Sequence, residues 1–329
     1  MSRLQVLLAA VCFGTTGTAQ ALGPDASAVT VGAVRIAVGA VLLAVVAWAV
    51  EGRRAGRWGT VPQASVAGPA PAKGTVPRAR AAGQTSSKGT VPRAWPRAPL
   101  VAGALGVAAY QLCFFAAVKD TGVAVGTVVA LGSAPALAGV GGWLLDRRLP
   151  DRSWALATAL ACAGVATLAL AGGGSEVSAP GVALAVGAGA AYAAFTLASK
   201  RLLDRGHAVE PVMASLFGAG AVLLIPVLLL GDLHWVTSAG GAAMALWLGA
   251  VPTAIAYLLF ASGLRHLHAD EVATLTLAEP VTAALLGAIV LGERPGAVAI
   301  LGIAAILAGL AVLAAPKAKS TPVGTEVIA

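Results

Sequence analysis

Ten long apolar runs separated by short polar breaks organise the chain. They cover approximately 4–22, 28–50, 100–118, 122–145, 153–171, 180–199, 211–231, 239–260, 270–291 and 295–315, each about 19 to 24 residues long. At about 1.5 Å of rise per residue, a helix of that length crosses a hydrocarbon core of about 30 Å. Strands do not explain runs this long without alternation, and an open sheet edge in lipid would leave backbone groups unpaired. The pattern predicts an all-α polytopic membrane protein with ten transmembrane helices. Arg3, the first run and Ala19-Gln20-Ala21 resemble a signal peptide. Nine further spans and the length of the run favour a retained helix.

Composition agrees. Of the 329 residues 58% are apolar and 11% charged, against about 25% charged in a soluble protein. Aromatics are 5%, and small residues dominate, which suits close helix packing in lipid. Cys12, Cys113 and Cys162 each lie in an apolar run and show no metal-ligand spacing. His266 and His268 form an H-x-H pair with no carboxylate or cysteine framework around it. No metal or cofactor is expected.

The net charge of +8 changes the picture through its distribution. With the N-terminus inside, 19 of the 22 Lys and Arg residues fall in cytoplasmic segments. Only Lys119 and Arg294 lie outside, and Arg35 sits within a span. That asymmetry places both termini in the cytoplasm. The loop 51–98 carries nine basic residues against Glu51 and repeats Gly-Thr-Val-Pro at 59–62, 74–77 and 89–92. It reads as a low-complexity cytoplasmic insertion rather than a nucleic-acid or lipid site.

An internal repeat emerges at a shift of 145. Pro135 falls on Pro280, Pro150 on Pro295, Gly164 on Gly309 and Phe115 on Phe260. The shift joins the third-to-fifth spans to the eighth-to-tenth. Five spans per unit is an odd number, so the second copy must cross in the opposite sense. The predicted organisation is a first five-helix repeat over 1–171, a second over 180–315 and a cytoplasmic tail over 316–329. Inverted repeats of this kind characterise secondary transporters.

Ionisable residues inside a span cost about 2.5–3.5 kcal/mol on insertion scales, so each needs a reason. Two lie well inside, Arg35 and Glu279. Glu279 either binds a cationic group or proton, or accepts hydrogen bonds from backbone amides around Pro280. Arg35 either holds a substrate carboxylate or clamps a neighbouring helix. The uncharged candidates for a pathway are Gln20, Tyr110, Gln111, Tyr192, Trp247, Tyr257 and Thr274, with Thr127, Thr196 and Thr276 beside them. Tyr110-Gln111 and Tyr257 occupy nearly equivalent repeat positions, which suits a midplane pocket. Pro135, Pro280, Gly122 and Gly126 read as hinge or packing positions.

Leu-Ala-Glu-Pro-Val at 277–281, Leu-Gly-Glu-Arg-Pro at 291–295 and Arg35 early in the second span resemble a drug/metabolite transporter of the EamA type. The first copy departs from that pattern, with Arg148-Leu149-Pro150 where Glu-Arg-Pro would mirror 293–295. The resemblance implies a ten-helix inner-membrane carrier of amino acids or other small metabolites. Its partners are then a small-molecule substrate and the bilayer, without nucleic acid, and a homodimer stays open. Alternating-access export, with or without proton coupling, is the leading expectation. A passive channel or accessory protein is the alternative. An intramembrane enzyme fits less well, since no G-x-S-x-G elbow or metal cluster is present, and no P-loop supports an ATP-driven pump.

Overall fold

The computed structural model describes residues 1–58, 95–147, 149–171 and 178–315. Most of the basic loop and the tail 316–329, both expected in the cytoplasm, lie outside the described residues. Within them the chain is helical, with helices α1 (Ser2–Leu22), α2 (Ala28–Trp58), α3 (Arg97–Gly122), α4 (Val125–Asp146) and α5 (Arg152–Ala171). The second half supplies α6 (Ala179–Asp204), α7 (Val209–Leu223), α8 (Ala239–Leu264), α9 (Ala269–Val290) and α10 (Ala297–Ala314). Eight of these are long and apolar enough to cross a membrane, while α7 and the apolar stretch of α5 are shorter. Large apolar side chains stand exposed along the bundle, among them Leu229, Leu230 and Ile289. Large apolar side chains exposed in such number are at home in lipid. The protein is a multi-pass helical membrane protein.

Proline and glycine explain the local departures from regular helix. Gly122 joins α3 to α4 at φ 77° and ψ 162°, a region essentially reserved for glycine. It is therefore the turn between two helices rather than part of a packing face. Gly126 does pack closely, against the Val118 backbone. The predicted span 211–231 is broken at Leu224, with Ile225–Leu230 forming a separate short helix beyond it. Within α8, Pro252 cannot donate to the Leu248 carbonyl. The chain opens into a π turn over Ala250–Ile255, and the Thr253 hydroxyl donates to that carbonyl at 2.8 Å. Within α9, Pro280 leaves the Thr276 carbonyl free. A tight turn over Thr276–Ala278 lets the backbone N–H of Glu279 bond it instead.

Packing between the halves rests on glycines. Gly164 on α5 presses against the Gly302 carbonyl and the Ile306 amide on α10. Gly309 on α10 presses against the Ala157 carbonyl and the Ala161 amide on α5. Each of these three positions on α5 maps to its counterpart on α10 by adding 145. Two further contacts come in matched pairs. Gly14 of α1 meets Glu279 on α9, and Gly189 of α6 meets Ala134 on α4. Gly39 of α2 meets Gly249 on α8, and Gly220 of α7 meets Ala104 on α3. In both pairs the partner positions again differ by 145.

Candidate functional site

The six phenylalanines and three tyrosines of the chain form one continuous network of ring contacts. Phe13 of α1 packs at a tilt against Tyr257 of α8, with ring centres 4.9 Å apart. Tyr257 touches Phe195, Phe217 and Phe260. Phe260 leads to Tyr192, Tyr192 to Tyr110, and Tyr110 through Phe114 to Phe115. Rings from five helices thus meet in the middle of the bundle. Aromatic pairs in tilted and edge-on contact add specific geometry to apolar burial, so the network fixes where the tyrosine hydroxyls can stand.

A small cavity lies against this network, with Tyr110, Gln111, Tyr192, Phe195, Phe217 and Tyr257 in its wall beside Ile36, Gly106 and Val107. Its free volume is about 10 Å³, room for about one water molecule. Gly106 is required for this closeness, because a Cβ there would stand 2.7 Å from the Ala191 carbonyl oxygen and 3.0 Å from the Phe195 Cβ.

Arg35 on α2 stands one residue before Ile36 of the cavity wall, and Glu279 on α9 follows the tight turn at Thr276, which Tyr192 holds. They form no ion pair within 4.0 Å, and the buried Nε of Arg35 has no hydrogen-bond partner among the described residues. Among the described residues no backbone amide is hydrogen-bonded to the Glu279 carboxylate, and the turn before Pro280 is closed by the Glu279 backbone N–H on the Thr276 carbonyl. That weighs against a purely structural role for this carboxylate. The Tyr192 hydroxyl donates to Thr276 Oγ1 at 3.2 Å, fixing one side of the cluster.

Other expected residues stand apart. Trp247 is 47% exposed on α8, its indole N–H reaching Thr15 Oγ1 at 3.3 Å. Gln20 lies near the end of α1 and lines neither cavity. Thr274 is fully buried but bonds Thr158 at 2.9 Å, tying α9 to α5. Thr196 bonds back to the Tyr192 carbonyl within its own helix. Pro135 lies inside α4 without breaking it.

A second, larger cavity of about 400 Å³ opens where α1, α5 and α9 begin and α4, α6 and α10 end. Its charged wall includes Arg3, Asp146, Asp151, Lys200, Asp204 and Glu271. Arg3 Nε is 2.7 Å from Glu271 Oε1, while its Nη1 donates to the Ala314 carbonyl at 3.2 Å, joining three helix ends. Lys200 pairs with Asp204 at 2.7 Å and Arg201 with Asp146 at 3.8 Å. The sequence reading passed over this vestibule and over Phe195, Phe217, Ile36 and Gly106. The concentration of every Phe and Tyr in a few spans was the available signal.

Comparison with known proteins adds an independent line. Residues 179–315 match the EamA-like transporter family. The chain is 36% identical over 320 residues to the uncharacterized transporter YwfM of Bacillus subtilis (strain 168), covering 97% of this chain and 95% of that protein. It is 34% identical over 136 residues to the threonine/homoserine exporter RhtA of Salmonella typhimurium (strain LT2), covering 41% of this chain and 45% of that protein. A solved crystal structure shares the fold with a TM-score of 0.73 at 20% identity, covering 94% of this chain and 95% of that one.

Proposed function

The chain belongs to the EamA-like transporter family, and from that premise we propose that it is a secondary carrier exporting a small polar metabolite, an amino acid or similar, by alternating access. The observation that carries the reading is one interior cavity walled by all three tyrosines of the chain and Gln111, with the buried, unpartnered Nε of Arg35 on the helix that supplies its Ile36 wall. Buried charge is costly, and charges held inside a bundle mark a substrate or ion path. Glu279 is the group available for proton coupling.

We take the ten helices as ten crossings, in two inverted halves over 1–171 and 180–315. The reciprocal contact of Gly164 and Gly309 supports this, since a two-fold relation makes each element meet its counterpart's partner. The two matched pairs of glycine contacts support it as well. Both termini are placed in the cytoplasm of a cell whose cytoplasmic membrane holds the protein. On that orientation the charged vestibule faces the cytoplasm, the side from which an exporter loads.

The name of the relative RhtA makes threonine and homoserine the first cargoes to try. Purified protein in vesicles loaded with amino acids, purines or sugars should release a subset of them. A carrier coupled to protons should build a gradient that an uncoupler collapses. Release of every solute at a rate set only by its size would instead favour a passive channel.

A further inference from the structure

Two prolines stand at equivalent places in the two halves, Pro135 in α4 and Pro280 in α9. Each removes one backbone donor from its helix, yet only α9 changes its winding. There the helix Ala269–Leu275 and the helix Glu279–Val290 are joined by the tight turn Thr276–Ala278, whereas α4 runs through Pro135 as regular helix. Proline alone therefore does not make the break.

What differs is a pair of hydroxyls. The Thr276 hydroxyl donates to the Ala273 carbonyl at 2.8 Å and accepts from the Tyr192 hydroxyl at 3.2 Å. Its one proton is committed to Ala273, so the tyrosine is the donor. Threonines that bond back to their own backbone bend helices, and a more tightly wound stretch inside a helix is where helices hinge. The other half has neither partner. Leu131 answers to Thr276 by the shift of 145. Gly17 answers to Tyr192, each lying three residues beyond one of the matched glycines Gly14 and Gly189.

This contact joins the two cavities. Tyr192 stands in the wall of the interior cavity, its ring held edge-on by Phe260 with centres 6.2 Å apart. Beyond the hinge, the seven residues Ala269–Leu275 form a segment about 10 Å long. Ala269, Asp270 and Glu271 of that segment line the charged vestibule. Glu271 is tied to Arg3 of α1 at 2.7 Å and Thr274 to Thr158 of α5 at 2.9 Å, so a turn of the segment is passed to both helices. A close-packed cavity with room for about one water admits anything larger only if its walls part. Tyr192 is the wall that is bonded to the hinge.

We propose that the Tyr192 hydroxyl pins the α9 hinge, so that filling the interior cavity draws Tyr192 off Thr276, frees Ala269–Leu275 to turn and reshapes the vestibule. Tyr192 is thus a positioning residue that acts through Thr276. Its use in transport rests on the carrier reading above; the pin itself does not.

The test follows amide hydrogen exchange of the full chain in detergent, over 269–279 and over 128–135 of α4 as the internal control. Tyr192→Phe should speed exchange over 269–279 about fivefold, the factor that one hydrogen bond of ordinary net strength sets in an equilibrium. The control stretch should not change. Thr276→Val should also speed 269–279, and Tyr192→Phe added to it should do nothing more. Thr276→Ser keeps the hydroxyl and should exchange like the natural protein. Gly106→Ala stands in for a filled cavity, because its Cβ would press on the Ala191 carbonyl and the Phe195 amide at 2.7 and 2.9 Å, on either side of Tyr192. It should speed 269–279 in the natural chain and add nothing to Tyr192→Phe. A merely structural hydroxyl would loosen both stretches together. That result overturns the inference, as does unchanged exchange over 269–279 in Tyr192→Phe. A Gly106→Ala effect that is absent, or that persists without the hydroxyl, overturns it as well. No solute enters these measurements, so the pin and the carrier fail separately: a protein that moves no solute but shows the expected exchange keeps the pin and loses the carrier reading.

Discussion

Replacing Gly164 by alanine probes the contact that locks α5 to α10. A Cβ at 164 would stand 2.6 Å from the Gly302 oxygen and 2.6 Å from the Ile306 nitrogen, where ordinary contacts begin near 3.4 Å. The helices must therefore part by about 0.8 Å along that direction. Both obstacles are backbone, so no rotamer change relieves them. Overpacking of this kind costs about 1–3 kcal/mol, and better helix propensity returns up to about 1 kcal/mol. A net loss of about 1–2 kcal/mol is expected. Gly309→Ala meets Ala157 and Ala161 at 2.6 and 2.8 Å and should cost nearly the same. The double variant should cost less than the sum, because helices parted by one methyl already make room for the other. Gly142→Ala and Gly218→Ala, with nothing within 4 Å, are the controls and should not destabilise. Equilibrium unfolding in detergent, followed by tryptophan fluorescence, reads all five variants. A Gly164→Ala protein as stable as its parent would refute the packing argument, and a large inequality between 164 and 309 would refute the reciprocity.

Three further outcomes are expected. Gly122→Ala places a side chain at φ 77°, ψ 162° and should lower stability by about 1–3 kcal/mol; an unchanged melting transition would show that α3 and α4 join differently. Deleting 59–94 should leave membrane insertion and transport largely intact, as a low-complexity insertion contributes no core; total loss of transport by a well-inserted deletion protein would make the loop functional. Reporter fusions after Lys88 and Lys317 should read cytoplasmic and one after Ser175 external; a cytoplasmic signal at 175 would remove the inverted halves.

The helices were legible because burial in lipid makes run length a direct measure of span. Each predicted run overlaps a helix, eight of the helices are long and apolar enough to cross a membrane, and the departures at Gly122 and Leu224 come where backbone geometry rather than hydropathy ends an element. Arg35 and Glu279 stood out for the same reason, as charges in apolar runs. Which face of each helix turns inward was not legible. Helices apolar all round carry little amphipathic signal, so Trp247 and Tyr257 looked alike, although one is 47% exposed and the other buried. The aromatic network was hidden because it joins residues as far apart as Phe13 and Tyr257. The charged vestibule was hidden because Arg3, Lys200 and Glu271 each lie near an end, where a charge needs no special account.

Alternating access through one interior site is tested most directly by counterflow. Vesicles containing the purified protein are preloaded with unlabelled threonine or homoserine and diluted into a trace of the labelled solute. A site that faces one side at a time must return with internal solute bound or empty, so the label should accumulate transiently above its equilibrium level and then decay. Glu279→Gln at equal abundance in the vesicles should abolish that overshoot. Smooth equilibration of the label, without an overshoot and unaffected by preloading, would contradict the account and leave a pore in its place.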